Sequence, residues 1–291
     1  MDTKHKSNLT GSAQEYLNKP TQDRIKKCKE QVWIPYPQAI NILSELDDLF
    51  NHPKKERMPN LLIVGDTNNG KTTIINHFIR RYPSFLDTAH RRPIIKISAP
   101  ISPSQNALYE KILDELYVPY GINESASRKE YQVKKILDDI QTKMIIIDEF
   151  QDIFHGEIKR QREFLTSLKQ LGTDLQIPIV AVGVWEVQSV MTIDPQISNR
   201  FETLKLEKWN LDINFAKLVM SFEKTLPLKE ASNLYKDEII DLLFHMCEGY
   251  IGELTRVLEK ASVFALKHDK ERIDVKVLKS INYVPPSLRR K

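Results

Sequence analysis

Four groups of residues in this 291-residue chain have the types and spacing to do phosphate chemistry. The first is Gly65-Asp66-Thr67-Asn68-Asn69-Gly70-Lys71-Thr72-Thr73, which follows the apolar run Leu61–Val64 and precedes Ile74, Ile75, Phe78 and Ile79 at helical spacing. Strand, glycine-bounded loop and helix in that order make a triphosphate cradle. The glycines let backbone N–H groups converge on phosphate oxygens, and the helix adds the positive end of its dipole. Gly65 through Thr73 are then expected to line the phosphates of ATP, with Lys71 on the β- and γ-phosphates and the Thr72 hydroxyl on Mg2+. The second group is Asp148-Glu149, closing the apolar run Met144–Ile147. A carboxylate at the carboxyl end of a buried strand falls where ligands bind in open α/β sheets. Asp148 is expected to hold Mg2+, directly or through water, and Glu149 to act as general base on the attacking water.

Two arginines extend the set. Arg200, in Ser198-Asn199-Arg200-Phe201, stands too far along the chain to belong to its own phosphate cradle. One reading makes it a finger on the γ-phosphate of a neighbouring subunit, a role that supplies about 10³–10⁵ in rate. The other pairs it at the surface with Glu202 or Glu207. Arg256, in Gly249-Tyr250-Ile251-Gly252-Glu253-Leu254-Thr255-Arg256, either senses the γ-phosphate or is an exposed helix arginine. Ile34 and Tyr36, in the proline-stiffened segment Trp33–Pro37, either line an adenine pocket or pack into the core.

The elements that must position these groups are legible as hydrophobic periods. Short unbroken apolar runs (Leu61–Val64, Ile94–Ile97, Met144–Ile147, Ile177–Gly183) alternate with helical periods, and a last strand is expected at Leu204–Leu206. Strands without polar alternation, separated by helices, predict a parallel sheet covered on both faces. From about Leu211 the strands stop and helical periods take over, which predicts a small all-helical second domain. The expected division is a partly flexible arm (1–30) with a short helix near Gln22–Gln31, an α/β nucleotide domain (31–209), a helical domain (210–282) and a basic tail (283–291).

Composition narrows the class. Two cysteines are too few for a disulfide framework, so a reducing cytoplasm is expected, and the scattered histidines never pair with cysteine at zinc spacing. No apolar run approaches the roughly 18 residues of a membrane span, and no membrane partner is expected. A net charge of +4 permits a nucleic-acid partner without requiring one.

The stretches RMPNLLIVGDTNNGKTTII (57–75), MIIIDEFQDIF (144–154), ISNRFETLKLEKWN (197–210), SFEKTLPL (221–228) and CEGYIGELTRVLEKAS (247–262) occur in the order found in one family. On them the chain resembles the AAA+ ATPases of the TniB/TnsC type, regulators of DDE transposons of the mercury-resistance, Tn-seven-like and CRISPR-associated groups. The resemblance implies an AAA+ P-loop NTPase core with a C-terminal helical lid, and ATP-dependent assembly into rings or filaments on duplex DNA. It also implies a bacterial, DNA-associated protein that hands a target site to a DDE transposase, with TniQ-like targeting proteins as partners. In similar proteins the DNA-facing surface follows the second strand and opens a later helix. Carried over, this implies sequence-independent backbone contacts by Lys96, Ser104, Gln105, Ser127 and Arg128.

The chain departs from the family pattern in one respect. Many AAA+ proteins carry a polar sensor at the end of the strand read here as Ile177–Gly183, where this chain continues Val184-Trp185-Glu186. Leu254 also stands where some relatives have a sensor arginine. Both gaps predict slow hydrolysis, suited to a timed switch rather than a fast motor. The rival reading within the same fold is a helicase loader or replication initiator. A small-molecule kinase gives no reason for Arg200 or for the helical domain.

Overall fold

The structure, a computed structural model, describes residues 8–82, 91–191 and 199–289. The described residues divide into two compact units. One is drawn from Met1–Tyr36, Asn68–Gly70 and Lys208–Lys291, the other from Pro37–Thr67 and Lys71–Glu207.

The second unit is built on a parallel sheet of five strands: β1 (Asn60–Gly65), β2 (Ile94–Ser98), β3 (Met144–Asp148), β4 (Ile179–Gly183) and β5 (Phe201–Leu206), in the order β2-β3-β4-β1-β5. Three of the four expected apolar runs are the central strands β1, β3 and β4, every residue of which is buried, and the fourth, Ile94–Ile97, is the edge strand β2. A side chain such as Ile146 or Val180 removed from water on either face contributes about 1.5–3 kcal/mol. This is why these strands show no polar alternation. Strand β5 lies at the sheet's edge and is only half-buried, so its alternating FETLKL pattern advertises Leu204–Leu206 but not its full length. Gly65 faces Leu206 in the register, and a Cβ on it would lie 2.4 Å from the Leu206 carbonyl oxygen, so only glycine lets β1 end beside β5.

The connecting helices of this unit are Pro37–Phe50, Lys71–Arg80, Gln105–Glu115, Ala126–Asp139, Ile158–Leu175 and the short Val187–Met191, with a 3-10 turn at Phe150–His155 after β3. The buried residues between sheet and helices form one continuous core around Ile95, Ile145, Ile147, Leu108, Val133, Phe164 and Leu168. Lys129 lies fully buried in that region and is held by Glu110 at 2.6 Å, tying the Ala126–Asp139 helix to its predecessor.

The first unit is helical: α1 (Gly11–Tyr16), α2 (Thr21–Cys28), α9 (Ile213–Glu223), α10 (Asp237–Cys247), α11 (Ile251–Lys267), α12 (Val275–Ser280) and α13 (Pro286–Arg289), counting the six helices above as α3–α8. In the segment read as a partly flexible arm, α2 lies where a short helix was expected near Gln22–Gln31, and α1 is a helix that was not expected. Helix α2 packs along α11, and Arg24 explains the order. The buried Arg24 guanidinium donates to the Pro227 carbonyl at 2.7 and 2.9 Å and forms a two-pronged ion pair with Glu271. The division also falls a little earlier than expected, after Glu207, and takes residues 31–36 with the helices. Ser198, Arg290 and Lys291 lie outside the described residues.

Entry into α11 depends on Gly249. Its φ is +78° and a Cβ there would lie 2.3 Å from the Trp209 carbonyl oxygen, while its own carbonyl accepts the Trp209 N–H at 2.8 Å. Replacement of Gly249 by alanine is expected to destabilise the helical unit by about 2–4 kcal/mol, through left-handed strain plus the clash. Chemical denaturation followed by circular dichroism measures this. A change within about 0.5 kcal/mol of wild type, the ordinary range for surface substitutions, contradicts the assignment.

Candidate functional site

Strand β3 delivers Asp148 to the carboxyl edge of the sheet, and the helix that opens at Lys71 delivers Thr72 to the same point. The Thr72 hydroxyl donates to Asp148 Oδ2 at 3.0 Å, joining residues 76 apart in sequence. Lys96, midway along the neighbouring strand β2, brings its ammonium 3.1 Å from the same carboxylate oxygen and donates to Asn76 Oδ1 at 3.0 Å. The Glu149 N–H donates to the other oxygen, Oδ1, at 3.0 Å. Asp148 is thus a buried carboxylate with both oxygens engaged by a hydroxyl, an ammonium and an amide.

Lys71 is buried beside it. Its ammonium donates to the carbonyls of Gly65 at 2.7 Å and Asp66 at 2.8 Å. Burial pulls its pKa down, and the nearby carboxylates Glu149, Asp148 and Asp66 pull it back up. The result is a cation kept in a poor solvent by negative neighbours, which is the electrostatic demand of a group meant to meet phosphate oxygens.

Glu149 sits at φ +53°, in the left-handed region, at the step from β3 into the 3-10 turn. For a non-glycine residue that backbone costs on the order of 1–3 kcal/mol and persists only where its surroundings impose it. The Glu149 side chain is held by Gln151, whose Nε2 donates to Glu149 Oε2. The other end of the same amide, Oε1, accepts the Val184 N–H at 3.2 Å, just past β4. A Cβ on Gly183 would lie 2.9 Å from that Oε1, so the glycine gives the amide its place. Sequence reading found no polar sensor after β4 and did not single out Gln151, although it lies inside the MIIIDEFQDIF stretch. The available signal was a polar residue two positions beyond the glutamate, on the turn that points back along the edge of the sheet.

Arg200 is at the opposite edge. Its carbonyl accepts the Asn60 N–H at 2.9 Å where β1 begins, and its guanidinium donates to Thr173 Oγ1 at 3.1 Å rather than pairing with Glu202 or Glu207. With all strands parallel, the length of β1 separates it from Gly65, so it is not brought to the phosphate loop that precedes Lys71. The residues expected on DNA are dispersed. Lys96 belongs to the Asp148 cluster. The Ser104 hydroxyl caps its helix by accepting the Ala107 N–H at 3.0 Å, and Gln105 donates to Glu130 at 3.5 Å. Ser127 and Arg128 are exposed in the first turn of their helix, with Arg128 3.5 Å from Glu124.

In the helical unit, Tyr36 and Ile34 are buried, and the Tyr36 ring meets Trp209 edge-on at 5.3 Å between centroids. Gly70 has φ +92°, and a Cβ on it would lie 3.2 Å from Ile251 and 3.5 Å from the Tyr36 hydroxyl. Asn68, at φ +62°, accepts the Gly252 N–H at 3.1 Å through its carbonyl and donates through Nδ2 to Glu253 at 2.9 Å. Arg256 is exposed on α11. Neither cysteine is a reactive thiolate: burial pushes Cys28 up to about 11 and Cys247 up to about 12.

The family model for the bacterial TniB protein matches residues 24–211. The chain belongs to the TniB family. No curated protein sequence matches it. Among solved structures, this TniB-family chain is similar to the ORC2 protein of Aeropyrum pernix in its ADPNP-ADP complexes, at TM-score 0.64 and 14% identity over 87% of this chain and 70% of that one. It is also similar to Cdc6p from Pyrobaculum aerophilum, at TM-score 0.62 and 16% identity over 85% and 67% of the two chains. A third similar structure is the ORC1 protein of Aeropyrum pernix in complex with DNA, at TM-score 0.53 and 14% identity over 84% and 63%. The fold is therefore that of the AAA+ P-loop NTPases, with a parallel sheet and a helical C-terminal region. Among the described residues, no helix is long and apolar enough to cross a membrane. The donors around Asp148 are a hydroxyl and a carboxylate, hard oxygen ligands that fit Mg2+ completed by phosphate oxygens.

Proposed function

We propose that this TniB-family protein is an ATPase that assembles on duplex DNA and passes a target site to a DDE transposase, with hydrolysis of ATP as the timing switch. The observation that carries the reading is the meeting of Thr72 and Asp148 at 3.0 Å beside the buried Lys71, on an AAA+ fold in a chain of the TniB family. Residues 65–73 cradle the phosphates, Lys71 exchanges its carbonyl partners for β- and γ-phosphate oxygens, and Thr72 and Asp148 hold Mg2+. The ion, when bound, neutralises the charge of the phosphates. Glu149 takes the proton of the attacking water, and Gln151 holds that carboxylate at the end of β4, where other AAA+ chains place their own polar sensor. Ile34 and Tyr36 lie by the adenine, and Arg256 turns to the γ-phosphate. Slow turnover follows from the tether on Glu149 and from Leu254 in place of a second arginine.

Partners follow from the same reading. Copies of the chain stack as a ring or filament around DNA, touching its backbone through exposed residues such as Ser127 and Arg128, and a TniQ-like protein sets the target. A bacterial cytoplasmic location accords with this. The likeness to ORC and Cdc6 structures favours a replication-initiator role as the alternative. The TniB match over residues 24–211 weighs against it.

Two experiments test the proposal. In filter-binding and phosphate-release assays with linear duplex DNA, Glu149→Gln is expected to keep ATP and DNA binding while turnover falls about 10²–10⁴-fold. Lys71→Ala is expected to lose both nucleotide binding and nucleotide-dependent DNA coating. Coating by Lys71→Ala protein without nucleotide contradicts the switch. The second experiment concerns Arg200. Arg200→Ala alone is expected to lose about 10³ in rate. Mixing Arg200→Ala protein with Glu149→Gln protein should restore part of the activity, because an intact base then meets an arginine from another copy. No recovery on mixing contradicts action between subunits.

A further inference from the structure

The helical unit contains a buried carboxylate with four donors, and the sequence reading assigned it no role. Glu253, in the first turn of α11, accepts from Asn68 Nδ2 at 2.9 Å and from the Tyr283 hydroxyl. It also accepts both prongs of the Arg289 guanidinium, at 2.9 and 2.6 Å. Bidentate arginine–carboxylate pairs are the strongest and most directional of such contacts. The Arg289 guanidinium holds Glu253 down to about 2 against the opposing effect of burial, so the carboxylate stays charged at neutral pH.

The donors come from distant parts of the chain. Tyr283 and Arg289 belong to the C-terminal segment, whose last helix is further pinned where the Ser287 N–H donates to Glu248 at 3.1 Å. Asn68 belongs to the phosphate loop. It is tied to α11 through the Gly252 N–H and Glu253, and the fit is close: a Cβ on Gly252 would lie 2.0 Å from Asn68 Oδ1. The loop is therefore fixed by a carboxylate that the C-terminal segment fixes in turn.

We infer that residues Tyr283–Arg289 act as a clamp that pre-organises the phosphate loop through Glu253, so that nucleotide affinity is set in part by these residues. Glu253 is a positioning residue here, with Arg289 and Tyr283 behind it. A loop already ordered before binding loses less freedom when phosphates arrive. Freeing the clamp weakens binding, and a partner that draws the C-terminal segment away would release nucleotide. The inference rests on the reading of residues 65–73 as a phosphate cradle, and its test separates the two.

Full-length wild-type, Arg289→Ala, Arg289→Lys and Tyr283→Phe proteins are compared by hydrogen exchange without nucleotide and by titration with a fluorescent ADP analogue. In Arg289→Ala, exchange across residues 66–71 is expected to rise while β3 stays protected, and affinity to fall on the order of tenfold. Arg289→Lys, which keeps the charge without the fork, should recover only part of both. Tyr283→Phe removes a single hydroxyl and gives a milder version of the same shift in a chain certain to keep its packing volume. In an Asn68→Ala background, Arg289→Ala should have no further effect on affinity, because the two act in series. Unchanged exchange at 66–71 in Arg289→Ala overturns the clamp, as do fully additive losses with Asn68→Ala. If exchange rises as expected but wild type binds no nucleotide, the clamp stands and the phosphate-cradle reading falls.

Discussion

A hydroxyl and a carboxylate, Thr72 on Asp148, hold this protein's chemistry together. Neither belongs to a site alone. Asp148 is at the edge of the sheet because five residues of β3 are buried on both faces and pair in parallel with β2 and β4. Thr72 is there because Gly65 ends β1 against Leu206 and the chain turns at once into a helix. A shift of one residue in either strand would turn the side chain to the other face of the sheet and separate the pair. The meeting of Thr72 and Asp148 is thus a property of strand register, and the register is fixed by the same apolar burial that stabilises the fold.

Around that pair, charge is balanced locally. Lys71 is held by the Gly65 and Asp66 carbonyls with Glu149, Asp148 and Asp66 offsetting its burial, and Lys96 by a direct 3.1 Å contact with Asp148. An incoming phosphate would meet two cations already paid for by carboxylates and carbonyls. Glu149 is the exception, an exposed carboxylate in a strained backbone, restrained by the single amide of Gln151.

Much of this was legible in the sequence, and the pattern of what was not is physical. Unbroken apolar runs disclosed β1, β3 and β4, because a strand covered on both faces has no polar positions to disguise it. The edge strand β5 and the helix Gly11–Tyr16 were underestimated, the first because it alternates where one side meets water, and the packing of the expected helix α2 rests on a long-range ion pair, Arg24 with Glu271, that no local period announces. The glycine–lysine–threonine loop and the aspartate–glutamate pair could be picked out by residue type and spacing, and the fold brings Thr72 of the one to Asp148 of the other. Gln151 and Glu253 were not, since each acts through a contact made only in the folded chain. Lys96, read as a DNA contact, lies midway along β2 beside β3 and brings its ammonium 3.1 Å from the buried Asp148 carboxylate, a contact made only in the folded sheet.

The central claim is that Asp148 and Thr72 together bind the metal of a metal–triphosphate complex. Calorimetric titration of ATP with and without Mg2+, on wild-type and Asp148→Asn protein, tests it directly. In wild type, Mg2+ should tighten ATP binding by about tenfold or more, and Asp148→Asn should erase that increment while leaving metal-free binding in place. An Asp148→Asn protein that keeps the full Mg2+ increment would contradict the account.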